Sequence, residues 1–125
     1  MKPILRAAPL FVALTVPLRA QSPGRCRHPA RSSNDIEACA ALRLQRSEAS
    51  LGRAEATARQ VAGPGAAVAF AEGARTWRAY REAECHTIYV SYDGGSGATA
   101  ALLICKATLT EQRARALRLV YSKEG

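Results

Sequence analysis

The chain has 125 residues, 48% of them hydrophobic, which is enough for one domain with a modest core. It carries 18 basic and 10 acidic residues, a net charge of +8. Because most of the basic residues are arginines at helical spacing rather than consecutive bases, the composition argues against a protein that binds a specific nucleic acid.

The first twenty residues have the order of a secretory signal peptide. Lys2 and Arg6 form a positive start, residues 7–18 are mainly apolar, and Ala20 is small enough for cleavage after it. The apolar stretch is shorter than the ~20 residues of a membrane-spanning helix, so we do not expect a membrane-spanning protein. We predict a cleaved signal peptide at residues 1–20 and a periplasmic or secreted mature protein. Cleavage removes three basic residues and no acidic one, which leaves 15 against 10 and a net charge of +5.

An irregular arm rich in proline, glycine and arginine is predicted for residues 21–33. Asn34 follows as a helix N-cap, with Glu37 three residues on as its capping-box partner. The next residues are rich in Ala, Arg and Glu, which favour helices, until a Gly-Pro-Gly segment ends the pattern. The sequence therefore predicts a first helix over residues 34–61, at the start of a helical domain that covers residues 34–125.

Two further helices are indicated by apolar stripes. The stripe over residues 66–89 consists of Phe70, Ala74, Trp77, Arg81, Cys85 and Ile88. The stripe over residues 98–121 consists of Leu102, Cys105, Leu109, Gln112, Ala116 and Leu119. A glycine-rich segment at residues 93–97 connects them as a flexible hairpin loop. Thr108 and Glu111 also have capping-box spacing, which would allow a break within the third helix, but one continuous helix is favoured. The predicted fold class is therefore all-α, a small three-helix domain.

The chain contains an even number of cysteines, namely Cys26, Cys39, Cys85 and Cys105. In a short exported chain this is typical of a disulfide framework, with three possible connectivities. We predict that the cysteines pair in sequential order, Cys26 with Cys39 and Cys85 with Cys105, because the predicted hairpin brings the second pair together. Each bond would contribute ~3 kcal/mol to stability by restricting the unfolded chain. Metal binding is the alternative, since His28 lies near the first cysteine and His86 follows the third. The ligand spacings typical of zinc sites are missing, so no metal or cofactor is expected.

No catalytic constellation is visible in the sequence. The chain has no Gly-x-Ser-x-Gly elbow, no His-Glu-x-x-His helix and no glycine-rich phosphate loop followed by lysine. With all four cysteines assigned to disulfides, no thiol nucleophile remains. We therefore do not expect an enzyme.

The second helix and the segment after it carry a more specific pattern. Trp77, Tyr80, Arg81 and Cys85 form a Trp-x-x-Tyr-Arg-x-x-x-Cys motif, and a Leu-Thr-x-x-Arg segment follows the last cysteine at residues 109–113. An Asp-Ile-Glu-Ala-Cys element precedes them in the first helix. The chain resembles the LprI-type lysozyme inhibitor family over most of its mature length. The resemblance implies an exported, all-helical, disulfide-bonded protein, and at least one branch of the family inhibits lysozyme.

The motif residues are expected to hold the fold: Trp77, Tyr80, Arg81, Glu84, Thr110 and Arg113. We expect the two aromatic side chains to be core anchors, with Trp77 at the centre of the core. Ion pairs are expected within the second helix, Arg81 with Glu84 and Arg78 with Glu82.

Two hypotheses for function follow. An inhibitor needs a protruding element to block a sugar-binding cleft, and the loop with Tyr92, Asp93 and Ser96 is the candidate, with lysozyme as the partner. The alternative is a structural cell-envelope protein whose arginine-rich face binds anionic lipid or polysaccharide. Exposed arginines of the first helix would form that face, namely Arg43, Arg46 and Arg53.

Overall fold

The structure, a computed structural model, describes Cys26 and residues 28–122. The predicted signal peptide lies outside that part. The described chain forms three helices, α1 (Ser33–Ala62), α2 (Ala67–Ser91) and α3 (Ala98–Val120), with a short 3-10 helix at Pro64–Ala66. These residues include no strand, so the predicted all-α fold is confirmed, and α3 is continuous as favoured.

The N-terminus of α1 is capped by Ser32, so the prediction that Asn34 caps it was wrong. The Ser32 hydroxyl accepts a hydrogen bond from the Asp35 amide at 3.2 Å. The Asp35 carboxylate in turn accepts from the Arg31 amide at 3.0 Å. Ser32 followed by Asp35 three positions later is itself a favourable helix N-terminus, and α1 begins at this earlier position rather than after Asn34.

Helices α1 and α3 run parallel to each other. Arg43 of α1 donates to Glu111 of α3 at 2.9 Å, and Arg118 of α3 donates to Ser50 of α1 at 3.1 Å. Both pairs are 68 residues apart in the sequence, so the numbering increases in the same direction along the two helices. Helix α1 packs more extensively on α3 than on α2.

Helix α2 runs antiparallel to α3. Cys85 near the end of α2 is bonded to Cys105 near the start of α3, and Phe70 near the start of α2 contacts Tyr121 just past the end of α3. The chain therefore goes up, down and up through the bundle. A second disulfide joins Cys26 to Cys39 of α1, so the predicted sequential pairing is confirmed.

The core between α1 and α3 is built largely from alanine. The central cluster consists of Leu51, Ala54, Ala58, Ala114 and Leu117. Small side chains let two helices approach closely, but they leave little room between them for a large ring. Trp77 packs against this cluster from α2 and is only partly buried. The expectation that its indole fills the centre of the core is corrected accordingly.

None of the helices in the described chain is both long enough and apolar enough to span a membrane.

Candidate functional site

The guanidinium of Arg81 joins the three helices. It lies largely buried on α2 and donates to the Thr110 hydroxyl of α3 at 2.8 Å. It also forms ion pairs with Glu48 of α1 and, at 3.0 Å, with its neighbour Glu82. The expected partner Glu84 is exposed and takes no part, because Arg81 points into the bundle rather than along the surface of α2.

Thr110 completes this network from α3. Its side chain is fully buried, and its hydroxyl accepts from Arg81 and donates to the Lys106 carbonyl at 2.7 Å. The Lys106 ammonium forms an ion pair with Glu82. That contact, with a further contribution from Arg81, holds the pKa of the Glu82 carboxyl below its ordinary value of 4.5. Both hydrogen bonds of the Thr110 hydroxyl are therefore made within the bundle.

Trp77 lies between two motif arginines. The guanidinium carbons of Arg81 and Arg113 are 5.3 Å and 6.0 Å from its ring centroid, within the range of cation–π attraction. Tyr80, expected to be a core anchor, has 52% of its surface exposed. Tyr80 is two residues from Arg78, so it lies on roughly the opposite side of α2 from the residue that faces α1.

A second ion pair between α1 and α2 was missed by the sequence analysis. Arg78 donates to Glu55 at 2.9 Å, and the Glu55 carboxylate is buried. This bond raises the pKa of Arg78 above its ordinary value. The expected partner Glu82 is engaged elsewhere. Glu48 and Glu55 lie seven residues apart on one face of α1, and that spacing was the available signal for two carboxylates facing α2.

The connection between α2 and α3 is a hydrogen-bonded turn. The Tyr92 carbonyl accepts from the Gly95 amide at 2.8 Å, and the Gly95 carbonyl accepts from the Ala98 amide at 3.1 Å. Asp93 adopts a left-handed conformation with φ of 50°. The turn brings the predicted binding residues Tyr92, Asp93 and Ser96 together at one exposed tip of the bundle.

An exposed stripe of α2 leads into this tip. Tyr80, Glu84, Ile88 and Tyr92 follow one another at four-residue intervals, and all four are exposed. Together with Asp93 they form what we name the hairpin surface. Within the described chain, neither of its two carboxylates forms a salt bridge, so both remain open to a basic partner.

The arginines predicted to form an anion-binding face are in different environments. Arg43 is committed to Glu111 at 2.7 Å, which raises the pKa of Arg43 and lowers the pKa of Glu111. Arg46 and Arg53 are exposed and form no salt bridge with any residue that the structure describes.

Metal binding finds a poor ligand set at the N-terminal cysteines. The sulfurs of Cys26 and Cys39 and a ring nitrogen of His28 lie within 4.8 Å of one another. The two sulfurs are bonded to each other, however, so neither is a thiolate that zinc would need. The expectation that the chain holds no metal stays a prediction.

Comparison with known proteins adds one finding. The family model for lysozyme inhibitor LprI matches residues 26–117, a range that includes both disulfides, the Arg81 network and the hairpin surface. No curated protein and no solved structure matches the chain significantly.

Proposed function

Because the chain belongs to the LprI lysozyme inhibitor family, we propose that it is an exported, non-enzymatic protein that binds lysozyme and blocks its activity. The family match is the observation that carries this proposal. The two disulfides support export, since such bonds persist in oxidising compartments such as the periplasm or the extracellular space.

The hairpin surface is our candidate for the contact with lysozyme. Exposed tyrosines are enriched at protein interfaces because they bring a large rigid area with a polar tip, and this surface offers Tyr80 and Tyr92. Its free carboxylates, Glu84 and Asp93, complement a basic partner. The mature chain is itself expected to be basic, so its long-range field would repel a basic lysozyme. Local acidic groups at the contact are therefore what would orient the encounter.

The mode of inhibition that fits this surface is insertion of the turn into the sugar-binding cleft of the enzyme. The turn is fixed by its internal hydrogen bonds, and the Cys85–Cys105 disulfide joins the two helices behind it. A loop that is already ordered loses little conformational entropy on binding. We expect inhibition that competes with oligosaccharide substrates.

The primary experiment is an inhibition assay with the mature, oxidised protein. Residues 21–125 would be titrated against c-, g- and i-type lysozymes while the clearing of bacterial cell-wall suspensions is followed. We expect stoichiometric inhibition of at least one type, relieved by excess soluble oligosaccharide. The proposed function would be contradicted if the protein neither bound nor inhibited any of the three lysozyme types.

Charge-neutralising variants test the contact surface separately. Asp93→Asn and Glu84→Gln each remove one carboxylate charge from the hairpin surface, and we expect each to weaken binding by about tenfold. Glu72→Gln is the matched control, because Glu72 is an exposed acid near the opposite end of α2 whose ion pair is with the nearby Arg75. Equal effects of all three variants would reject the surface assignment and leave the inhibition itself standing.

A further inference from the structure

A cleft of about 570 Å³ lies between α1 and the end of α3, at the opposite end of the bundle from the hairpin surface. It follows from the parallel arrangement of the two helices. Ser50 is level with Arg118, and α3 ends soon afterwards at Val120, whereas α1 continues to Ala62. The last turns of α1 therefore extend beyond the end of α3. The volume is within the usual range for small-molecule sites.

The rim of this cleft is positively charged. Arg53 of α1 and Arg118 of α3 both line it, and neither forms a salt bridge with a residue in the described ranges. The Ser50 hydroxyl accepts from Arg118 at 3.1 Å, which holds that guanidinium at the cleft. The described lining residues include hydroxyl groups, such as that of Thr57, but no carboxylate. Two guanidinium groups without a counter-charge among the residues 28–122 are matched to a phosphate or carboxylate group.

The floor of the cleft is apolar. It is formed mainly by Leu117 and by Tyr121, whose ring is held from the other side by an edge contact with Phe70 at 6.2 Å between centroids. An inorganic anion would leave this floor in contact with water, and an uncharged apolar molecule would bring no charge to balance the two arginines. A ligand that satisfies both parts carries an anionic group and an apolar portion on one molecule.

We propose that this cleft binds a single anionic amphiphile, with its phosphate or carboxylate headgroup on Arg53 and Arg118 and its apolar tail on Leu117 and Tyr121. This site differs in its residues from the arginine face predicted from the sequence. It includes Arg53 but not the ion-paired Arg43, and it adds Arg118 of α3. Binding here is independent of lysozyme inhibition, since the two surfaces lie at opposite ends of the bundle.

Calorimetric titration of the mature protein with dihexanoyl phosphatidic acid, below its micelle concentration, tests the proposal. At about 0.15 M salt the field of exposed charges is screened within ~8 Å, which suppresses nonspecific attraction. We expect one site per chain, with at least about tenfold weaker binding of both dihexanoyl phosphatidylcholine and inorganic phosphate. If the phosphatidylcholine bound as tightly as phosphatidic acid, the cleft would be an apolar site only. If inorganic phosphate bound as tightly, the cleft would be an anion site only. Either result, or no binding of phosphatidic acid, overturns the proposal.

Three charge-matched variants locate the site. Arg53→Gln and Arg118→Gln are each expected to weaken phosphatidic acid binding by at least about tenfold. Arg46→Gln, which removes an exposed α1 arginine outside the cleft, is expected to change it by less than about twofold. Arg53 has no hydrogen bond in the described chain to lose, so its variant reports on binding rather than folding. If all three variants lost the same amount of affinity, binding would depend on the overall charge of the protein and not on the cleft, and the proposed site would be rejected.

Discussion

Arg81 of α2 donates to the hydroxyl of Thr110 of α3 at 2.8 Å, at the level where Glu48 of α1 meets the same guanidinium. Two of the motif residues thus form one contact between α2 and α3, and Glu48, which lies outside the motif, links the same guanidinium to α1. The residues of the hairpin surface take no part in these contacts, although Tyr80 and Glu84 also belong to the motif.

Thr110→Val is expected to lower the free energy of unfolding by about 1–3 kcal/mol, because the valine removes one of the hydrogen-bond acceptors of the largely buried Arg81 guanidinium and leaves it only the two carboxylates. Thr110→Ser keeps the hydroxyl and loses one methyl group, so about 1 kcal/mol is expected. Urea unfolding followed by far-UV circular dichroism measures both. If the valine variant is as stable as the parent, the hydrogen bond does not hold the bundle.

Trp77→Ala is expected to lower the free energy of unfolding by about 2 kcal/mol. This is less than is usual for deleting a fully buried aromatic side chain, because the indole is only partly buried. Trp77→Phe retains an aromatic ring under the two arginines and should lose about half as much. Circular dichroism is the suitable probe, since Trp77 is the chain's single tryptophan. A stable Trp77→Ala protein that no longer binds lysozyme would instead identify Trp77 as a contact residue.

Stability is expected to fall in acid. The folded-state pKa values of Glu82 and Glu111 lie below the ordinary value of 4.5, owing chiefly to hydrogen bonds from Lys106 and Arg43 respectively. A depressed carboxyl pKa contributes stability above the unfolded value, and this contribution is lost as the pH falls through the folded value. Melting temperature should therefore decrease below about pH 4.5. A Glu82→Gln, Glu111→Gln double variant should show a shallower decrease, and an unchanged slope would contradict the assignment.

The turn tolerates some replacements of Asp93 and resists others. Asp93 has a φ of 50°, a region that asparagine and glycine enter readily and that branched residues do not. Asp93→Asn is expected to leave the melting temperature nearly unchanged, whereas Asp93→Val should cost about 1–2 kcal/mol. Equal melting curves for the two variants would show that the turn relaxes freely.

Loss of the Cys85–Cys105 bond is expected to lower stability by ~3 kcal/mol, because it frees a 20-residue loop in the unfolded chain. The variant for this test is the double replacement by alanine, which avoids a lone thiol. Thiol titration of the oxidised parent protein, before reduction, should detect no free thiol. Four reactive thiols in the unreduced parent would disprove the framework.

Helices and disulfides were predictable because their signals are local. Apolar residues at three- and four-residue intervals marked α2 and α3, and an even cysteine count marked the framework. Ion-pair partners were not predictable in the same way. Arg81 and Arg78 did not pair with their expected partners on α2. Both form ion pairs with α1, because the register between helices places Glu48 and Glu55 opposite them, and Arg81 pairs in addition with its neighbour Glu82.

The candidate site was predictable in part. The glycine-rich sequence indicated an exposed turn at Tyr92, Asp93 and Ser96, and the structure places these residues at the tip of the bundle. That Tyr80 extends this surface was not predictable, since the motif spacing alone does not show which positions of α2 lie against another helix. The role of these residues in binding stays a prediction until the variants are measured.

The parallel packing of α1 on α3 has a consequence for how the chain folds. Contacts between these helices join residues 68 positions apart, whereas α2 and α3 meet across a short turn. Closing the longer loop loses more chain entropy, and long-range contacts slow folding. We therefore expect the α2–α3 hairpin to form first, with α1 docking late in the rate-limiting step. A truncated chain that ends before α3 would leave the alanine face of α1 without its main partner.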